Sequence, residues 1–388
     1  MVLLLLLQPR VWAHGPPAAV TGVASADARG PVHVTLTEGL ALRDAAGSWR
    51  YVCPASWGST PIDPPACGLS PEEVWLPGAD ALYVADLEGN VEPVGEAPAI
   101  TTLLALSRDD DAIVALTVGT GTSRTVWDVA AGGVPLWSGD DPFTGIAPWD
   151  GGIQLVGPVD GTLWSVALDA DGTEVSRESL GTADSSNPAL VPTPSALYLV
   201  ERSTGLEALT RMPDRRAIGT VAGEVLGPIE VGDSTWVALD GRLYAIDGDA
   251  VVLGPDDGVV SCLAAIDGEA WACVEGLLLP LDETGAFGAP IVGPATVGAP
   301  ELGLVDPADV DLCFSQWRVW ATDAGVDPGP APDPVPDDDL EDDPLDVAGS
   351  GCGCQTPGAG GVWLGAFVAW WPRRSSRTRK RRATALTQ

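Results

Sequence analysis

Lysine is all but missing from this chain. Lys380 is the only one among 20 basic residues, and histidine occurs twice, at His14 and His33. Tyrosine and phenylalanine number 4 each, so the 15 tryptophans carry most of the aromatic surface. The 54 acidic residues face few positive partners. Arg10 and the seven bases from Arg373 to Arg382 lie at the two ends, which leaves twelve arginines and a net charge near −42 for residues 14–351. Such a surface excludes duplex nucleic acid and anionic lipid as direct partners, because phosphate contacts need clustered Lys and Arg. At 45% apolar residues the chain can still build a core, so it is not a disordered acidic protein.

With His14 and His33 as the only imidazoles, Ser–His or Cys–His catalysis is poorly supported. No phosphate-cradling glycine loop, His-Glu-x-x-His or nucleophile elbow occurs. Cleavage after Ala13 would make His14 an N-terminal copper ligand with His33, but no supporting ligand set accompanies the two. Both histidines read as incidental, and no metal or cofactor is expected.

Long helical periodicity is missing as well. From about Ala18 to Asp323, short apolar runs are broken by Gly, Asp and Pro every 8 to 12 residues or so, the pattern of an all-β chain. One unit reads Val225–Val231, Thr235–Leu239, Arg242–Ile246 and Ala250–Leu253. The next reads Val259–Ile266, Glu269–Val274, Leu277–Leu281 and Ala289–Val292. Second-strand landmarks near His33, Leu82, Ile113, Ile153, Leu197, Trp236 and Trp271 recur about every 40 residues. The spacing predicts one β-propeller of about seven four-stranded blades over residues 14–325. Cys313 to Thr322 is expected to supply late strands that close the ring with the N-terminal strand.

The pairs Asp171-Gly172, Asp240-Gly241 and Asp267-Gly268 read as hairpin turns needing positive φ rather than as calcium sites. Trp127, Trp137, Trp149, Trp164 and Trp236 are expected mainly to pack between blades rather than line a sugar-binding surface. The segment Leu42-Arg43-Asp44-Ala45-Ala46-Gly47-Ser48-Trp49 resembles the Asp-box of sialidase-like propellers, with Asp44, Ser48 and Trp49 matching. Ala321-Thr322-Asp323-Ala324-Gly325 is a shorter echo. In that family the box is a structural turn remote from the active face, so the resemblance implies fold and not catalysis. Sialidase chemistry needs three convergent arginines, a Tyr–Glu nucleophile pair and an acid, and no local spacing marks such a set.

The ends carry sorting information. Leu3 to Leu7 with Val11-Trp12-Ala13 reads as a signal peptide over residues 1–13, cut between Ala13 and His14. Residues 326–350 hold six prolines and nine acids, an extended, self-repelling stalk. Residues 351–388 then run Gly351-Cys352-Gly353-Cys354, an apolar stretch from Val362 to Trp371, and the basic cluster. This order resembles the myxobacterial C-terminal sorting signal MYXO-CTERM. The resemblance implies cleavage near Cys352 or Cys354 by a sorting protease of the myxosortase type, lipid modification there, and delivery to the outer surface, with membrane contact only through the tail or its lipid.

Export permits disulfides. A two-residue turn at Asp267-Gly268 sets Cys262 opposite Cys273, at a separation suited to a bridge. Cys53 and Cys67 bracket a short Pro-rich loop that a second bridge would close with a gain of about 3 kcal/mol. Cys313 is left over or competes for Cys273, and burial of all five as free thiols is the alternative. Two functional readings remain open: a non-catalytic surface propeller that binds an unknown extracellular glycan, peptide or matrix component, and a surface glycosidase on the same fold. The second requires two carboxylates facing each other roughly 5 to 10 Å apart across one funnel.

Overall fold

The structure, a computed structural model, describes residues 18–329 apart from 38, 54–66, 71–72, 78–81, 87–90, 94–101, 109–112, 119–122, 130, 132, 184–186, 204–205, 213, 249, 256–257 and 301–309, with the backbone alone at 67–70, 77, 82, 102–106 and 108. The chain divides into two units, Met1–Pro334 and Val335–Gln388, and every described residue belongs to the first. Ala13, His14, Cys352, Cys354 and all but the first residues of the stalk lie outside the described set.

Seven antiparallel sheets follow one another along the chain as the blades of a propeller. Blade 1 holds β1 (Val20–Asp27), β2 (Gly30–Leu36), β3 (Leu40–Arg43) and β4 (Trp49–Val52). Blade 2 holds β5 (Cys67–Ser70), β6 (Glu73–Pro77), β7 (Leu82–Asp86) and β8 (Val91–Pro93). Blade 3 holds β9 (Thr102–Arg108), β10 (Ile113–Val118), β11 (Arg124–Asp128) and β12 (Val134–Gly139). Blade 4 holds β13 (Gly145–Trp149), β14 (Gly152–Val159), β15 (Thr162–Leu168) and β16 (Glu174–Thr182). Blade 5 holds β17 (Ala189–Pro192), β18 (Leu197–Ser203), β19 (Leu206–Met212) and β20 (Arg216–Val221). Blade 6 holds β21 (Val225–Val231), β22 (Ser234–Leu239), β23 (Arg242–Asp247) and β24 (Ala250–Leu253). Blade 7 has three strands, β25 (Val260–Ile266), β26 (Glu269–Val274) and β27 (Leu277–Leu281).

The second-strand landmarks fall in second strands except Leu82, which opens the third strand of blade 2; the proline-ended run Glu73–Pro77 takes the second place. The fourth strand expected at Ala289–Val292 is reduced to two isolated bridges, Leu278 to Val292 and Leu281 to Phe287. Gly288 and Pro290 interrupt the ladder there, since proline has no N–H to donate.

Neighbouring blades pack on each other through buried apolar side chains. Ile146, Leu155 and Val166 of blade 4 meet Val114, Leu116 and Val126 of blade 3. Leu163 and Val156 on the same blade meet Leu190, Leu197 and Leu199 of blade 5. Side chains of this size each contribute about 1.5–3 kcal/mol when fully buried, so the seams hold the ring. Polar bonds register them: Arg124 Nε donates to the Phe143 carbonyl at 3.1 Å, and the Val225 N–H donates to Glu207 Oε2 at 2.7 Å. The tryptophans follow this logic. Trp127 and Trp236 are buried, Trp137 and Trp164 pack on the blade 3–4 seam and Trp149 on the blade 4–5 seam.

Ring closure differs from the expectation. Residues Cys313–Thr322 form no strand; they lie within a helix, α1 (Val310–Asp323). Its buried residues Cys313, Trp317, Trp320 and Ala321 recur at helical spacing and form one face. Asp311 sits in the first turn, where an acid complements the helix dipole. The segment likened to a shorter Asp-box is the end of this helix. Gly325 stands at φ +72°, its N–H bonds the Thr322 carbonyl at 3.0 Å and the Val326 N–H bonds the Ala321 carbonyl at 2.8 Å. That is a Schellman stop, which needs the left-handed conformation glycine adopts freely.

Among the described residues, no strand from the N-terminal end completes blade 7. Instead β1 packs directly on blade 7, with the Val20 N–H bonded to the Gly276 carbonyl at 3.1 Å. A two-residue strand, β28 (Val297–Gly298), then adds in parallel to the outer edge of β4. Helix α1 covers the same corner through Tyr51, Trp317 and Trp320, whose rings lie 5.6–5.8 Å apart. Cys53, one residue past β4, is bonded to Cys313 with 5.5 Å between their Cα atoms. This corrects the Cys53–Cys67 pairing: α1 carries Cys313 to the end of β4, whereas Cys67 begins the first strand of blade 2. The bridge spans 260 residues, and in the chain-entropy model so long a loop gives about 5 kcal/mol against about 3 for a short one. Cys262 and Cys273 stand opposite each other in the β25–β26 ladder and are bonded, with 4.8 Å between their Cα atoms.

Candidate functional site

A meander of antiparallel strands puts the turns after strands one and three of every blade on one face. The turns after strand two and the blade-to-blade connections fall on the other. The first face is built largely from aspartate. An Asp stands at the end of the third strand or in the turn that follows it in each blade: Asp44, Asp86, Asp128, Asp169, Asp214, Asp247 and Asp282.

Three of these turns are nearly identical. Asp44 Oδ1 accepts the N–H groups of Ala46 and Ser48, both at 2.9 Å. Asp169 Oδ1 accepts those of Asp171 and Thr173 at 3.1 and 2.8 Å. Asp282 Oδ1 accepts those of Thr284 and Ala286 at 2.8 and 3.0 Å. In each, the glycine three residues on has φ near +80° (Gly47 +85°, Gly172 +79°, Gly285 +82°). A carboxylate that gathers N–H donors is held in its charged form. The Ser48 N–H, with Arg50 and the Ala46 N–H, holds Asp44 below the ordinary carboxylate range against the opposing effect of desolvation. The Thr284 hydroxyl and the Ala286 N–H do the same for Asp282. Asp44 and Ser48 are thus the turn itself, and Trp49 is buried beside it in the closure corner. The recurrence about every 40 residues was available in the sequence; only the copy at Asp44 stands out by motif, because the others lack the trailing tryptophan.

The two-residue turns obey the rule expected of them at Asp240-Gly241 and Asp267-Gly268, where both residues have positive φ (50° and 74°; 52° and 80°). Asp171-Gly172 departs from it: only Gly172 is left-handed, since this pair lies inside the longer Asp169 turn.

The axial channel is lined by the first strands β1, β5, β9, β13, β17, β21 and β25. Their only charged residues are Asp27, Arg108 and Glu230, each at or near the strand end on the aspartate face. Both acids are engaged. Asp27 binds the guanidinium groups of Arg29 and Arg43. Partial burial works against its ionisation, yet the Arg29 N–H and the two guanidinium groups outweigh it and keep the carboxyl below its ordinary range. Glu230 reaches from blade 6 to the first turn of blade 5, where Thr193 Oγ1 donates to it at 2.6 Å and the Ser195 N–H at 3.2 Å. Beside it, Tyr198 is 3% exposed. Burial pushes the phenol up, with Arg211 opposing and Glu230 adding to the rise. A Tyr–Glu nucleophile pair needs the opposite, an accessible phenol made more acidic.

His33 and Ser25 are buried, with Ser25 Oγ and His33 Nδ1 2.7 Å apart. Burial pushes the imidazole down to about 4, and the Asp86 backbone and carboxylate oppose the shift without reversing it. The order Ser–His–Asp is suggestive, but at 0% exposure for His33 no substrate reaches it, and the three groups link β1, β2 and β7 as a buried polar joint. Among the described residues no group of three or more His, Cys, Asp or Glu side chains is placed to hold a metal ion. A cleft of about 280 Å³ lies between the strand return Pro290–Thr296 and the end of α1, lined by Leu277, Ile291, Asp323 and Ala324. No helix of the described residues is long and apolar enough to cross a membrane.

No protein-family model matches the sequence, and no curated protein resembles it significantly. Among solved structures it is similar to BamB from Moraxella catarrhalis, at 15% identity and a TM-score of 0.40, over 69% of this chain and 81% of that one. It is similar also to PorZ of Porphyromonas gingivalis, described as an essential bacterial surface component of the type-IX secretion system, at 14% identity and a TM-score of 0.49. That match covers 71% of this chain and only 38% of PorZ. A streptogramin B lyase matches at 11% identity and a TM-score of 0.44, over 68% of this chain and 94% of the lyase. At these identities the likeness is one of fold.

Proposed function

We propose that this is an exported propeller, held at the cell surface, that binds an extracellular partner through its loop faces and performs no reaction of its own. The observation that carries the reading is the fate of the inner-strand acids. Asp27 and Glu230 are the carboxylates the channel-lining strands bring to the funnel, and both are spent on holding turns and arginines in place. A glycosidase acid is set apart by a raised pKa. The described carboxyls that leave the ordinary range, Asp27, Asp44, Glu174 and Asp282, all move downward. The two disulfides fit an oxidising compartment. The tail adds the route: a sorting protease of the myxosortase type would cut near Cys352 or Cys354 and leave the head on its acidic stalk.

A glycan and extracellular-matrix array probed with the purified full chain tests the reading. Saturable binding without change in the bound glycan supports it. Release of new reducing ends during incubation, abolished by Glu230→Gln, would restore the glycosidase.

A further inference from the structure

We propose that β24, the outer strand of blade 6, is a docking edge for an extended, basic segment of a partner protein. The outer strand of a blade has one row of free backbone N–H and C=O groups, and natural sheets protect such rows with charge, proline, irregularity or cover. The other blades comply. The edge of β4 is covered by β28. Glu92 and Pro93 stand in β8, Pro135 in β12, and Glu174, Arg177 and Glu178 in β16. Arg216 opens β20, and the edge of β27 is bridged by the return through Phe287 and Val292. Only β24, Ala250-Val251-Val252-Leu253, has neither charge nor proline, and it has no second pairing partner among the described residues.

Its register states which groups are free. Asp247 pairs with Ala250, Ala245 with Val252, and the Gly254 N–H bonds the Leu243 carbonyl at 2.9 Å. In an antiparallel ladder, bonded and non-bonded pairs alternate. Ala250, Val252 and Gly254 therefore bond inward, while the N–H and C=O of Val251 and Leu253 point outward. The side chains are exposed too: Val252 by 52% and Leu253 by 56%. An added strand would gain four backbone bonds and two apolar contacts, the usual mode of strand addition.

Charge decides the occupant. In the sequence the strand is preceded by Asp247 and Asp249 and followed by Asp256 and Asp257; the Arg216 guanidinium of blade 5 lies beside the leading turn at Gly248, so the acids outnumber the base. If two copies paired edge to edge in antiparallel fashion, the leading acids of one would meet the trailing acids of the other. Like charges placed opposite one another oppose pairing, so the acids guard against a second copy. The same acids attract a strand whose short apolar core is flanked by Arg or Lys. This edge lies on the rim, away from the loop faces, so it stands or falls separately from the loop-face reading.

The test uses the full chain and a labelled, capped peptide, Arg-Lys-Val-Thr-Val-Thr-Val-Lys-Arg, read by fluorescence anisotropy in low salt. Leu253→Pro removes an outward N–H and no inward bond, so the blade keeps its ladder. The proposal expects saturable binding, weakened at least tenfold by Leu253→Pro and by Leu253→Lys. It also expects new hydrogen-exchange protection at Val251 and Leu253 when peptide is present. Leu253→Lys covers the case in which the proline variant fails to fold. Equal affinity of wild type and both variants, or equal binding of a same-charge peptide with a Gly-Pro core, would reduce the effect to general attraction and overturn the proposal. A wild-type dimer in sedimentation that Leu253→Pro dissolves would overturn it in favour of a second copy. A negative glycan array leaves each of these outcomes readable.

Discussion

His33 shows what one buried residue does to the whole stability curve. Its folded pKa is about 4 against 6.5 for the free side chain. Between those values the unfolded chain binds the extra proton, so stability falls as pH is lowered through that window, by up to about 3 kcal/mol. The aspartates of the turns are shifted in the same direction, and their contribution is also lost as pH falls, but only below the ordinary carboxylate range. Urea unfolding of wild type and His33→Gln at pH 7, 5 and 4 separates the two. We expect wild type to lose ground against the variant as pH falls, and a difference constant with pH would refute the assignment. Cysteine offers a second residue-scale test. Peptide mapping of unreduced protein is expected to give Cys53 linked to Cys313, Cys262 linked to Cys273, and Cys67 alkylated. A Cys53–Cys67 peptide would undo the closure described above.

Among the elements, α1 has the clearest energetic signature. The indole N–H groups of Trp317 and Trp320 are buried with no hydrogen-bond partner, so the rings act by their apolar area alone. Trp320→Ala should cost about 3–5 kcal/mol. Trp317→Phe should cost little, because it deletes an unpaired donor whose burial is itself unfavourable by about 1–3 kcal/mol. Thermal unfolding of the two variants checks the contrast; equal losses would mean the indole nitrogens are bonded. The same helix marks the limit of what is legible from sequence. Strands were readable because Gly and Asp punctuate them every few residues, as at Asp240-Gly241 and Asp267-Gly268. The Cys262–Cys273 register could be counted because one short turn fixes it. Helix α1 is not legible from sequence although Val310, Cys313, Trp317, Trp320 and Ala321 keep a helical period, because three aromatics in a β-rich context also suit a strand. The Cys53–Cys313 contact had no local signal at all: it exists only once the ring has closed. At the site, the Asp44 turn was legible by motif, and its six counterparts only by period. Glu230 had no mark, since its role depends on a turn in the neighbouring blade.

At the scale of the whole molecule, charge and sorting can be tested together. Intact-mass analysis of surface-released protein is expected to find a chain beginning near His14 and lacking everything after about Cys354. A species that still carries Arg373 to Arg382 would end the processing reading. Replacing both Cys352 and Cys354 with Ala should leave the protein internal or shed. The closure corner then acquires a mechanical meaning. The chain leaves the propeller just after α1, so tension applied from the C-terminal side reaches the helix first. From Cys313 the load passes through sulfur to Cys53 and into blade 1, bypassing β28 and the outer strands of blade 7. Pulling therefore loads the ring as a unit and does not peel its last blade away. With the bridge reduced, the same force would act on two residues of parallel ladder and the contacts of Tyr51 with Trp317 and Trp320, and the propeller would unzip from its final blade.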